Sequence, residues 1–393
     1  MDKIIPYGRQ DITEEDIELV INTLRSDFIT QGPKIETFEN IINRKFLCKY
    51  SVAVNSATSA LHIACLALDL SREDILWTVS NSFVASANCA RYCGAQVDFV
   101  DINPKTGLIC INKLVNKLEK AKKSNKLPKI IIPVHLSGSS CDMASISKLS
   151  EIYGFKIIED ASHAVGAKYK EDYIGNCKYS AITVFSFHPV KIITTGEGGV
   201  ATTNDPKIYE RLRILRSHGI VKEENKFSLN PAGPWHYEQQ CLGLNYRMTD
   251  IHASLGISQF KRIDEICIKR NKLLKKYKEK ILADNIDFLE IPSNCFSSVH
   301  LCIIKLKKID KVLHRKFFDY LRNNKIWVQL HYTPIHLQPY YRNLGFKEGY
   351  LTNTEAYAKQ AISIPLFPNL TTEEQDYVIK KINTFLGNLS EYK

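Results

Sequence analysis

The chain has 393 residues, enough to bury a sizeable core in more than one small domain, and its 44% apolar and 24% charged content is that of an ordinary globular protein. No apolar run approaches the roughly 20 residues that span a bilayer, and the opening stretch MDKIIPYGRQDITEED has no apolar leader region, so neither a membrane anchor nor secretion is expected. The net charge of +11 suits an anionic substrate such as a nucleotide diphosphate, or reflects only a lysine-rich composition; with no basic stripe interleaved with aromatics, no nucleic-acid partner is expected.

In chain order, EEDIELVINTL places Ile17, Val20, Ile21 and Leu24 on one helical face with acidic residues at its start. A second amphipathic helix covers 36–46. SVAVN (51–55) reads as a buried strand and SATSALHIACLAL as the helix that follows it. Further strands are expected near Val79, Val100, Val134, Ile158 and Phe185, with helices such as INKLVNKLEKAKK and ASISKLSEIYG between them. This alternation predicts an α/β architecture, a mostly parallel sheet covered by helices on both faces. The polar, aromatic, Pro- and Gly-containing stretch 221–242 reads as an ordered loop. After about Leu255 the pattern changes to a lysine-rich helix, the β-patterned HLCIIKLK, a helix over 312–323, the run WVQLHYTP and a C-terminal helix. The expected organisation is a large domain over 1–255 and a smaller α+β domain over 256–393. The eleven cysteines show no CxxC pair and no metal-finger spacing, which points to reduced thiols in a cytoplasm and to no bound metal.

Open parallel sheets bind ligands at the carboxyl ends of their strands. At one such end Asn55-Ser56-Ala57-Thr58-Ser59-Ala60 opens a helix, either as a phosphate cradle or as an ordinary N-cap. FKIIED ends in Asp160, which could pair with a pyridinium nitrogen or simply cap the next turn. Lys191 sits in FSFHPVKIITTGEGG, a polar turn after a hydrophobic strand, with Ser186 and His188 beside it. Ser186 could add a hydroxyl to the same phosphate. An amine at one strand end and a carboxylate at another can grip the two ends of a pyridoxal 5'-phosphate (PLP) ring.

Together NSATSAL, FVASANCA, VHLSGSSCDM, EDASHAVGA, FSFHPVKIITTGEGGV, RSHGI, NYRMTDIHASLG and VQLHYTPIH resemble, in this order, the DegT/DnrJ/EryC1/StrS family of sugar aminotransferases, from Tyr7 to the C-terminal helix. The resemblance implies the fold type I of PLP-dependent transferases and a homodimer with active sites at its interface. It assigns Lys191 to covalent attachment of the cofactor and to proton transfer, and Asp160 to the ring nitrogen. Ala57, Thr58 and Ser186 would take the phosphate, Phe83 would stack on the ring, and His163 would lie near the ring hydroxyl. Asn245 would reach the phosphate from the partner subunit. Tyr7, Asp27, Phe28, Ile29, Thr30, Ser56, His331, Tyr332, Thr333 and Pro334, with Ser186 and Asn245, would line the sugar-nucleotide pocket; Tyr7 could equally be a packing aromatic and His331 a satisfied core residue.

Within the family, His163 where many relatives carry glutamine, the FSFHPVK turn, and RSHGI followed by PWHYEQQ resemble the enzymes of pseudaminic acid biosynthesis. These take an amino group from L-glutamate to C4 of a UDP-linked 4-keto-6-deoxy-N-acetylhexosamine. Lys191 argues against the sugar dehydratases of the family, which have histidine in its place, and Trp77 departs from the plainer run of many relatives. A dTDP- or GDP-linked ketosugar, and a non-catalytic PLP-binding regulatory protein, are the competing readings.

Overall fold

The computed structural model describes residues 3–307 and 311–389. Seven strands form the central sheet: β1 (Tyr50–Val54), β2 (Ile75–Val79), β3 (Gln96–Val100), β4 (Ile130–Ile132), β5 (Lys156–Asp160), β6 (Ile182–Ser186) and β7 (Gly199–Thr203). Their order is β1-β7-β6-β5-β4-β2-β3, and β7 alone runs antiparallel to its neighbours. Successive side chains of a strand point to opposite faces, and here both faces are buried. Val52, Ile158, Val184 and Ala201 enter one core, while Ala53, Phe185 and Val200 enter another. A sheet covered on both sides needs near-continuous apolar strands rather than alternation, which is why runs such as ILWTV and ITVFS were legible as strands.

The helices that cover it are α1 (Glu14–Leu24), α2 (Pro33–Phe46), α3 (Ala57–Ala67), α4 (Ala85–Tyr92), α5 (Ile111–Lys123), α6 (Met143–Tyr153), α7 (Pro206–Arg216) and α8 (Asp250–Phe260). The apolar face read for α1 exists, but the rest of the chain does not cover it: Ile17, Ile21 and Leu24 are 43%, 39% and 55% exposed. The helix is held from its other side. Buried Asp16 accepts from Gln259 Nε2 at 2.6 Å and from Arg262 at 2.9 Å, and closes a capping box with Thr13.

The long helix α9 (Ile263–Lys280) joins two cores. Its first turns put Ile263, Ile266 and Cys267 against Phe38 and Phe187; its last turns put Leu274 and Tyr277 against Ile304, Phe317 and Val378. Between them buried Arg270 donates to the carbonyls of Val299, His300 and Leu366. The second core is built on a three-stranded antiparallel sheet (Ile286–Phe288, Cys302–Leu306, Ala361–Ile364) with the helices Lys311–Asn323 and Thr372–Gly387. Ile5 also enters this core, beside a bridge to Ile326, so the N-terminal segment packs among elements from the C-terminal part of the sequence. The stretch 221–242 is ordered by a strand pair, Ile220–Val221 with Glu238–Gln239, and by Glu238 accepting from the amides of Ser228 and Leu229.

One buried polar cluster ties the middle of the sheet together. Cys141 N–H donates to His135 Nδ1, so Nε2 carries the ring proton and donates to Glu159 at 2.8 Å. Ser180 and Thr183 donate to the other Glu159 oxygen. Burial pushes the Glu159 carboxyl up, but these donors outweigh it and hold the carboxyl below its ordinary value. The stabilisation is therefore present above the ordinary carboxylate range and lost as pH falls through the lower folded value. Replacing His135 by alanine leaves a buried carboxylate short of a donor and is expected to cost about 3 kcal/mol; thermal unfolding checks this, and an unchanged midpoint contradicts it.

Candidate functional site

The carboxyl ends of β5 and β6 lie side by side, with Asp160 paired to Val184. The turn after β6 is closed by Lys191 N–H to His188 O, by Thr195 N–H and Thr194 Oγ1 to Phe187 O, and by Phe187 N–H to Gly198 O. Gly196, at φ 80°, supplies the left-handed residue that lets the chain return into β7. This frame presents Lys191 over the ends of the strands.

The third element is the start of α3. Ser56 is its N-cap, accepting from Ser59 N–H at 3.1 Å. The ordinary-cap reading of this segment is thus correct for Ser56, and it leaves the first amides of the helix without intrahelical acceptors. A Cβ on Gly199 would stand 2.5 Å from Ala57 N, so only glycine lets β7 pass this close beneath the turn.

These elements open into a cavity of about 1040 Å³. Of the residues singled out in the sequence, it brings together Lys191, Asp160, His163, Ala57, Thr58, Phe83, Ser186, Tyr7, Ser56, His331, Tyr332 and Thr333. It does not include Asn245, Asp27, Phe28, Ile29, Thr30 or Pro334. Asn245 is exposed on an extended segment bridged to Ser217. Residues 27–30 are exposed on the α1–α2 connection, held by Asp250 N–H to Ile29 O and by a bridge from Thr30 to Thr249. Pro334 is buried next to Ile335, whose amide donates to Ser80 O.

Asp160 is 4% exposed. Its Oδ2 accepts from Ser86 Oγ at 2.6 Å and its Oδ1 from Ser162 N–H at 3.1 Å, so the carboxylate cannot turn away from the cavity. Burial brings the Lys191 amine down to about 8, with the nearby Asp160 charge opposing the shift. An amine of this basicity has roughly a tenth of its population neutral at pH 7, far more than an ordinary lysine, and that form can act as nucleophile and base. Burial, the Lys191 charge and His331 hold His163 well below the usual imidazole range; burial and Lys191 bring His331 to about 3. Both rings are neutral.

Several contributors were not found from the sequence, Ser86, His300 and Gln338 among them. Ser86 lies one helical turn after Ser82, whose hydroxyl it meets at 2.8 Å, and its bond to Asp160 spans 74 positions. Its only signal was a hydroxyl within the quoted FVASANCA. His300, buried with its ring centroid 4.4 Å from that of His163, comes from the segment after α9 and carried no motif.

The site fits PLP. A buried amine and a fixed carboxylate share one cavity with the glycine-bared N-terminus of an 11-residue helix, where a phosphate finds free N–H groups and the positive end of the dipole.

The model of the DegT/DnrJ/EryC1/StrS aminotransferase family matches residues 10–383. The chain is 34% identical to the UDP-4-amino-4,6-dideoxy-N-acetyl-beta-L-altrosamine transaminase of Campylobacter jejuni, over 95% of this chain and 96% of that protein. Among solved structures it is similar to Helicobacter pylori PseC, an aminotransferase involved in the biosynthesis of pseudoaminic acid (TM-score 0.89, 28% identity, 98% of this chain and 100% of that one). It is equally similar to Spr1654 from Streptococcus pneumoniae in its PMP-form (TM-score 0.89, 29% identity, 98% and 100% covered). The chain therefore belongs to the DegT/DnrJ/EryC1/StrS aminotransferase family, has the type I fold, and is a PLP-dependent sugar aminotransferase.

Proposed function

We propose that this enzyme transfers the amino group of L-glutamate to C4 of a UDP-linked 4-keto-6-deoxy-N-acetylhexosamine, a step toward pseudaminic acid, as a cytoplasmic homodimer. The observation that carries the reading is one cavity holding a buried amine, Lys191, and a fixed carboxylate, Asp160, beneath a wall of sugar-sized polar groups: Tyr7, Gln329, His331, Thr333 and Gln338. The identity to the Campylobacter jejuni transaminase supports the choice of nucleotide and carbon, and the net charge of +11 favours a diphosphate.

When bound, PLP supplies the aldehyde that carries the amino group from donor to acceptor and a ring that draws electrons from the reacting carbon. Lys191, Asp160, Ala57, Thr58, Ser186 and Phe83 would hold it, with His163 lying near its ring hydroxyl. Lys191 Nζ delivers the proton to sugar C4, and general acid–base help of this kind is worth roughly 10²–10⁴-fold. Attachment of the cofactor needs the neutral amine, so its rate should rise with pH and level off above about 8. Following cofactor absorbance across pH checks this, and a flat profile contradicts it. Amination of UDP- and dTDP-linked 4-ketosugars should differ clearly in favour of UDP; equal or reversed preference rejects the substrate assignment.

The homodimer accounts for what lies off the cavity. Ile17, Ile21 and Leu24 share one exposed helical face, and Phe28 and Ile29, which follow the helix, are exposed as well; exposed apolar side chains grouped in this way mark interfaces. Asn245 and residues 27–30 are exposed and available to complete the cavity of the partner. Ile21→Glu with Leu24→Glu should convert a particle of twice 44.9 kDa to a single chain and remove activity; sedimentation and assay check both, and an active, unchanged dimer rejects this interface.

A further inference from the structure

The loop after β4 carries two consecutive left-handed residues, Ser137 at φ 60° and Gly138 at φ 92°. A serine stays in that region only where its surroundings hold it. Here Ser137 Oγ donates to Leu301 O at 2.6 Å, and His300 N–H donates to Ser137 O at 2.9 Å. A Cβ on Gly138 would meet Ser298 Oγ at 2.5 Å, so the turn is clamped against the segment 298–301. The outcome is that Ser137 N–H points at His163 Nδ1, 3.3 Å away.

A backbone amide can only donate, so His163 Nδ1 carries no proton and the neutral ring is protonated at Nε2. Nε2 stands 3.0 Å from Tyr332 Oη. The hydroxyl oxygen therefore accepts from His163, and its own proton is left for the cavity that Tyr332 lines. Among the described residues no other hydrogen-bond partner of that hydroxyl is present. Burial and the charge of Asp160 keep the phenol protonated.

We propose that the chain Ser137 N–H, His163, Tyr332 fixes the Tyr332 hydroxyl as the hydrogen-bond donor to the ketone oxygen of the acceptor sugar, with Tyr332 the catalytic residue and His163 its positioning residue. This rests on the ketosugar reading above. The donor stabilises the negative charge that grows on the oxygen as the carbonyl is attacked, and no proton need leave the phenol. Loss of one such donor costs roughly 10²–10³-fold in kcat.

The test begins with histidine tautomers in the holoenzyme labelled with 15N-histidine, the His163 signals being assigned by their loss in His163→Gln. Neutral His163 protonated at Nε2 supports the relay; a ring protonated at Nδ1, or charged at neutral pH, overturns it whatever the substrate proves to be. Kinetics with the UDP-linked 4-ketosugar follow. Tyr332→Phe should lower kcat roughly 10²–10³-fold with KM within a few-fold and cofactor absorbance retained. His163→Leu should lower kcat similarly, and His163→Gln, whose amide accepts from Ser137 and donates to Tyr332, should recover most of that loss. Wild-type-like kcat in Tyr332→Phe, or no recovery in His163→Gln, overturns the donor role. Absence of wild-type turnover on this sugar refutes the substrate reading instead, and the tautomer then decides the relay alone.

Discussion

Lys191→Ala should fold, bind no cofactor covalently, and lose turnover by more than about 10⁴-fold. Two separate jobs disappear with the amine: attachment of PLP and movement of the proton at sugar C4. No other amine lines the cavity among the described residues; His188, which also lines it, carries an exposed imidazole rather than an amine. The fold should survive because removing a buried amine relieves the desolvation that lowers its basicity. Borohydride reduction with peptide mapping, run beside the assay, checks the claim. Wild-type-like turnover, or cofactor trapped on another residue, contradicts it.

Asp160→Asn should lower kcat by roughly 10²–10³-fold while leaving the cofactor bound, on the scale of losing one fixed electrostatic partner. Asp160 receives Ser86 Oγ–H on one oxygen and Ser162 N–H on the other. A carboxamide can accept only on one side, so one of these two donors would face an NH₂ group. The amide also carries no charge with which to keep a ring nitrogen protonated. A second effect follows from the same charge. Asp160 raises the Lys191 amine toward its ordinary value against burial, so its removal should move the midpoint of cofactor attachment below about 8. Rate and pH profile together test the assignment: a small loss of kcat with an unmoved midpoint would mean that Asp160 acts only as a local cap.

The two readings offered for residues 55–60, cap and cradle, turn out to be compatible, because an N-cap side chain satisfies Ser59 N–H and leaves the earlier amides free. Strand positions were legible because a doubly covered sheet writes continuous apolar runs, and Lys191 and Asp160 because both stand at ends of such runs. The outward face of α1 was not legible: periodicity gives a helix its stripe but not the side on which something covers it. Ser86, Ser137 and His300 were hidden for another reason. Each acts through a contact with a residue far away in sequence, and in the case of Ser137 through a backbone amide aimed by a left-handed turn, which no side-chain pattern records. Asn245 and residues 27–30 lie off the cavity of their own chain, and the proposed homodimer is what would bring them to a site.

The most direct test of the account is transfer of label from 15N-glutamate to the UDP-linked 4-keto-6-deoxy-N-acetylhexosamine, read in the mass spectrum of the sugar nucleotide. The account predicts a 4-amino sugar carrying 15N, formed by the wild type and absent with Lys191→Ala. An unlabelled sugar, with PLP nonetheless trapped on Lys191, would contradict the proposed reaction and leave an aminotransferase for a different acceptor.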